Sequence, residues 1–113
     1  MAQAYTSSTN TYSMAFVTVP SKEVGEKIGS GLVEEQLAAC VNVIPGLTSI
    51  YKWQGKIEKD SELLLMIKTK TELVDQISEY IRKHHPYDVA EVISSKIDNG
   101  NPPYLDWIEK NVK

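Results

Sequence analysis

The sequence predicts an α+β domain, and three observations carry that expectation. Short, β-branched apolar runs take turns with amphipathic stretches of helical period, in the order strand, helix, strand, strand, helix, strand, with a last helix behind them. The two middle strands meet at Gln54-Gly55, where glycine supplies the positive φ that a two-residue hairpin favours. The length of 113 residues suits one domain and no more. A chain of that size buries about two-thirds of its unfolded surface.

The first strand is the run Met14 to Val19, stopped by Pro20 and Ser21. Ser21 is placed to cap the helix that follows, and Glu23 in its first turn suits the helix dipole. Val24, Ile28, Leu32, Val33 and Leu37 recur at helical spacing, which predicts a helix up to Ala38. Gly25 and Gly29 lie one turn apart on it, a pattern that fits close approach of helix to sheet. They do not form a phosphate loop, because Gly29-Ser30-Gly31 runs on into Leu32-Val33-Glu34. Cys40 to Trp53 reads as the second strand, with a bulge or bend at Pro45-Gly46. Lys56 to Thr69 returns as its partner. Leu63 to Ile67 is apolar on both faces, which predicts burial on both sides.

Thr69 and Glu72 have capping-box spacing. Leu73, Val74, Ile77, Tyr80 and Ile81 give a second amphipathic helix, which Pro86 ends near His84-His85. A fourth strand lies within Val89 to Ile97. Asp98-Asn99-Gly100-Asn101 is a turn, and Pro102-Pro103 opens a short helix bearing Tyr104, Leu105, Trp107 and Ile108. This order is the split βαβ, ferredoxin-like arrangement, βαββαβ with an added C-terminal helix. The polar segment 1–13 reads as a mobile N-terminal tail, and residues 14–113 as the single domain.

The hairpin is too long for such a domain. Each arm holds roughly fourteen residues, or about 46 Å at ~3.3 Å per residue. A compact domain of this size has a radius of gyration of only ~13 Å. Isolated hairpins are marginally stable, and Ile50, Tyr51 and Trp53 would project with open edges. Closed association of identical subunits removes that problem.

Composition excludes several functions. The net charge is −3, the lysines are scattered and Arg82 is the only arginine, so there is no basic face for nucleic acid. No apolar run nears the ~20 residues that span a membrane. One cysteine, Cys40, allows no internal disulfide and suits a reducing, cytoplasmic setting. The first residues lack the pattern of a signal peptide.

Chemistry-bearing residues are few. His84 and His85 are the only histidines. Imidazole suits Cu(II) or Zn(II), and the Cys40 thiolate would suit softer ions. On a regular helix adjacent side chains point ~100° apart, so both reach one ion only if Pro86 distorts the turn. Either one also satisfies a helix C-terminus. Cys40, at the start of a strand, is expected to be buried. Asp60, Glu62 and Glu91 are acidic but stand beside no nucleophile. No Ser/His/Asp set, Cys-x-x-Cys pair or His-Glu-x-x-His motif occurs. The chain therefore does not read as an enzyme.

The stretches Leu37-Ala38-Ala39-Cys40-Val41-Asn42, Ile44-Pro45-Gly46, Tyr51-Lys52-Trp53-Gln54-Gly55-Lys56, His84-His85-Pro86-Tyr87 and Tyr104-Leu105-Asp106-Trp107 closely resemble the CutA divalent-cation-tolerance family. That resemblance implies a PII-like homotrimer with long hairpins about a three-fold axis. It implies a role in tolerance of, or response to, divalent metal ions such as copper. His84 and His85 match the family's adjacent copper-binding histidines. The first-strand cysteine of the bacterial type has no counterpart, since Val17 stands at or next to its position. Weak Cu(II) or other divalent-ion binding follows, with no obligatory cofactor. The alternative implied is a PII-like signalling or adaptor module that takes a small anion in inter-subunit clefts lined by Trp53, Glu62, Lys68 and Tyr87. Either role leaves room for a protein partner that the sequence does not identify.

Overall fold

The computed structural model describes residues 11–113. Residues 1–10 of the expected tail lie outside the described residues. Strand β1 spans Tyr12–Val19, helix α1 Lys22–Glu34, β2 Cys40–Trp53, β3 Lys56–Lys70, α2 Val74–His84, β4 Ile93–Lys96 and α3 Pro102–Asn111. The sheet order is β2-β3-β1-β4 with antiparallel neighbours throughout. This is the expected split βαβ topology. β1 starts two residues before the expected boundary, and Ser13 is buried within it.

The register of β1 against β3 builds the core. Ser13, Ala15, Val17 and Val19 face Thr69, Ile67, Leu65 and Leu63 across the ladder. All of these but Leu63 are buried, and they share one face because strand side chains alternate. Ile28 and Leu32 of α1 and Ile77 and Ile81 of α2 complete the cluster. The alternate residues Leu64 and Met66 are only half-buried. The expectation of burial on both sides of Leu63 to Ile67 is therefore corrected: one chain packs α1 and α2 on one face only.

Helix α1 starts as read, with the Ser21 hydroxyl accepting from the Val24 N–H at 3.2 Å. Its two glycines let it lie close on the sheet. A Cβ on Gly25 would sit 3.1 Å from Val19 and one on Gly29 3.1 Å from Val41. The helix ends at Glu34 rather than Ala38. Gln36 enters the left-handed region at φ 59°, and the N–H groups of Gln36 and Leu37 turn back to the carbonyls of Val33 and Leu32. This is a Schellman closure with glutamine where glycine is usual. Leu37 thus reaches the core from beyond the helix, which explains why its spacing looked helical.

The capping box at Thr69 does not form. Thr69 stays in β3, buried, and its hydroxyl donates to the Leu37 carbonyl at 2.6 Å. A 3-10 turn over Thr71–Leu73 leads into α2 instead. The hairpin turn matches the reading, with φ 50° at Gln54 and 83° at Gly55, as a primed turn requires. The pairing slips between Ile44 and Leu47, so Pro45-Gly46 is a bulge. Beyond the bulge the hairpin leaves the helices behind. The molecule is 54 Å long and 25 Å by 23 Å across, with a radius of gyration of 15.3 Å. At the third layer α3 ties down the sheet end, where Glu109 accepts from the Tyr12 hydroxyl at 3.1 Å and from Lys70 Nζ at 3.0 Å.

Ile67 sits at the centre of this core with no exposed surface. Ile67→Ala should therefore cost about 2–5 kcal/mol of stability, read as a shift in the midpoint of denaturant unfolding with an unchanged slope.

Candidate functional site

The two histidines end α2 and then diverge. Pro86 disfavours helical backbone in the residue before it, and His85 takes φ −87°, ψ 140°. That turn swings its ring inward, where it is 7% exposed. The Tyr87 N–H donates to Nδ1 at 3.1 Å, so Nε2 carries the proton and donates to the Thr18 carbonyl at 2.8 Å. Both ring nitrogens are spent on the fold. His84 stays on the helix, donates from Nδ1 to the Tyr80 carbonyl at 2.8 Å and stacks on the Tyr80 ring at 4.0 Å. Its Nε2 is the nitrogen left to a ligand. The pair is therefore not a chelate within one chain. Among the described residues no group of three or more His, Cys, Asp or Glu is placed to hold a metal ion. The donor set of a single chain does not fit a resident metal.

The residues after His85 close a cleft against the hairpin. Its cavity is about 680 Å³ and is bounded by Tyr51, Trp53, Asp60 and Glu62 on the hairpin and by Tyr87, Asp88 and Glu91 beyond α2. This volume lies within the usual range for small-molecule sites. Glu62 is 6% exposed, and the Tyr87 hydroxyl donates to its Oε2 at 3.0 Å. The Tyr51 hydroxyl donates to Asp60. Both phenols are pushed up to about 12. For Tyr87 burial is the main cause and the bond to Glu62 the next, whereas for Tyr51 the bond to Asp60 leads.

Three of the four expected cleft residues, Trp53, Glu62 and Tyr87, meet here. Lys68 does not. It lies six residues from Glu62 on β3, about 20 Å at ~3.3 Å per residue. There Lys68 Nζ donates to the Asn42 side chain and stands 3.8 Å from Cys40 Sγ. Cys40 is half-exposed rather than buried, because it opens an edge strand. Within one chain Lys68 therefore stands apart from the other three residues expected in a cleft between subunits. The lining of the cleft carries four carboxylates and no lysine, arginine or histidine.

Sequence reasoning missed Tyr51, Asp60 and Asp88 as members of the cleft. The signal was present for the first two. A two-residue turn at Gln54-Gly55 fixes Ser49 opposite Asp60 and Tyr51 opposite Glu58, which sets Tyr51 diagonal to Asp60 on one face.

The raised Tyr87 hydroxyl makes stability depend on alkaline pH. The fold favours the protonated phenol, so that contribution is whole below the ordinary value of 10.0. It is lost as pH rises towards about 12. Tyr87→Phe should flatten part of the fall in stability between these values and remove one late step from the phenolate absorbance titration.

Comparison with known proteins bears on the whole of this architecture. The family model described as CutA1 divalent ion tolerance protein matches residues 13–111. The chain is 53% identical over 111 residues to a protein CutA homolog of Xenopus laevis, covering 94% of this chain and 74% of that one. It is 55% identical over 98 residues to protein CutA of Mus musculus, covering 87% of this chain but only 55% of the mouse protein. The solved divalent cation tolerance protein of Thermus thermophilus superposes with a TM-score of 0.87 at 48% identity, covering 90% of this chain and 99% of the other. Relatives named chloroplastic in Arabidopsis thaliana (44% identical over 100 residues, 88% of this chain and 55% of that one) and periplasmic in Archaeoglobus fulgidus (33% identical, TM-score 0.88, 90% of this chain and 98% of that one) differ in compartment. A match across nearly all of the described residues, in both sequence and fold, places this chain in the CutA1 divalent ion tolerance family.

Proposed function

We propose that this chain acts as a cytoplasmic homotrimer in tolerance of, or response to, divalent metal ions, binds Cu(II) weakly and catalyses no reaction. The observation that carries the reading is the far half of the hairpin. Ile50 is 65% exposed, Ile57 64% and Trp53 49%, on strands that run past both helices. Such a surface is an aggregation hazard on a monomer and an asset in a closed assembly. The half-buried Leu64 and Met66 on the uncovered sheet face extend the apolar area. The fold and family match relatives named for divalent-cation tolerance.

The metal contact is modest for a chemical reason. His84 Nε2 is one neutral imidazole on an exposed helix end, and His85 would have to abandon two hydrogen bonds to join it. One monodentate ligand per subunit gives micromolar affinity or poorer, on the order of −8 kcal/mol at most. The reading as a non-enzyme rests on the same two rings, since both bond to backbone and neither to a nucleophile. Among the described residues no helix is long and apolar enough to cross a membrane. The lone cysteine suits the cytoplasm.

Light scattering of the dilute protein should give three times the chain mass, and a stable monomer would overturn the assembly. Calorimetric titration with Cu(II) should show weak binding that His84→Ala abolishes and that weakens on acidification, because only neutral imidazole binds. His85→Ala should leave the copper heats in place while lowering stability by about 1–3 kcal/mol, as the Thr18 carbonyl loses its donor.

A further inference from the structure

The loop between β4 and α3 carries a reactive pair of neighbours. Asn99 is followed by Gly100 in irregular backbone, the asparagine exposed and the glycine half-buried. We propose that Asn99 is a site of spontaneous deamidation, and that its isoaspartyl product loosens α3 from the end of the sheet.

The nucleophile is the backbone nitrogen of Gly100, and the electrophile is Cγ of Asn99. The new N–Cγ bond forms as the Cγ–Nδ2 bond breaks, and ammonia leaves with the proton of the Gly100 N–H. The product is a cyclic succinimide, which water opens at either of its carbonyls. Opening at Cγ leaves aspartate in an ordinary backbone. Opening at the Asn99 carbonyl carbon leaves isoaspartate, with the chain running through Cβ and Cγ. Water enters, ammonia leaves, and nothing is oxidised or reduced.

This pair meets the conditions for that chemistry. Glycine has no Cβ to shield its nitrogen, and its backbone turns freely towards the amide. Among the described residues no hydrogen bond holds the Gly100 N–H or the Asn99 side chain. The other described asparagines each lack a condition. Asn101 precedes Pro102, whose nitrogen has no proton to lose. Asn42 lies within β2, and Asn111 donates from its side chain to the Trp107 carbonyl at 2.8 Å. Both precede a valine, whose branched Cβ crowds the nitrogen.

Packing keeps glycine at this position and gives the product its effect. A Cβ on Gly100 would sit 3.0 Å from Leu105 Cδ2, and Leu105 is 3% exposed. The loop is held on both sides of that contact. The Ile97 N–H donates to the Tyr12 carbonyl at 2.8 Å, and the Asn101 carbonyl accepts from the N–H groups of Tyr104 and Leu105 at 3.0 and 3.2 Å. Isoaspartate inserts a methylene into the backbone between these anchors, so the added length falls on the contact of Gly100 with Leu105. Tyr12 pairs with Lys70, the last residue of β3, which puts the loop at the end of the sheet remote from the hairpin turn. The copper and trimer readings do not bear on it.

The full chain would be incubated at mildly alkaline pH and physiological temperature, then digested and mapped by mass spectrometry. Both aspartate and isoaspartate should accumulate at position 99, with NH replaced by O in the mass, while Asn42 and Asn111 stay intact. Asn99→Ser should remove the acidic species. In the folded isoaspartyl fraction, amide exchange in α3 should quicken by about fivefold or more. Asn99→Asp carries the same charge in an ordinary backbone and should exchange as the unaged protein does. An intact Asn99 in aged protein would overturn the proposal, as would conversion at Asn42 or Asn111 at the same rate. Aspartate without isoaspartate would overturn the succinimide route, and α3 exchange equal to that of Asn99→Asp would overturn the loosening.

Discussion

The register between β1 and β3 is the constraint on which the rest of this molecule depends. Pairing Val17 with Leu65 and Ala15 with Ile67 puts one alternate set of side chains under α1 and α2. A slip of one residue would present Phe16, Leu64 and Met66 to the helices and expose the present core. Because β3 also pairs with β2, the same register fixes where the hairpin leaves the helices. The helices cover the half that holds Leu65 and Ile67, and among the described residues no helix covers the half that holds Ile50 and Ile57. The overhang is thus a consequence of the core, and the exposed apolar tip follows from it.

A single proline decides what the two histidines do. Without Pro86 the helix would carry both rings on its surface, about 100° apart. With it, His85 turns inward and joins β1 to the end of α2 through the Thr18 carbonyl. One imidazole is converted from a surface ligand into a tie between layers. The chain past it is then aimed at the hairpin, where Tyr87 reaches Glu62. The same turn that points the two rings apart therefore builds the cleft.

Much of the fold was legible from residue pattern alone. Alternating β-branched runs, the Gln54-Gly55 turn and Pro102-Pro103 marked their elements correctly, because each acts through local sterics. The misreadings came where tertiary contacts override local signals. Thr69 and Glu72 have the spacing of a cap, yet Thr69 is worth more in the sheet, bonded to Leu37 across 32 residues of sequence. Leu37 has helical spacing but arrives through a left-handed Gln36. At the site, adjacency of His84 and His85 says nothing of ring direction, which only the φ and ψ of His85 settle. Trp53, Glu62, Lys68 and Tyr87 were expected in a cleft between subunits; within one chain, distance along β3 separates Lys68 from the other three.

Two lysines of β3, Lys68 and Lys70, are held away from the cleft. Lys68 is drawn to Asn42 and Lys70 to Glu109, both at the end of the sheet that α3 covers. The opposite end keeps Asp60, Glu62, Asp88 and Glu91 together with no cation among them. The phenols of Tyr51 and Tyr87 donate one hydrogen bond each to Asp60 and Glu62.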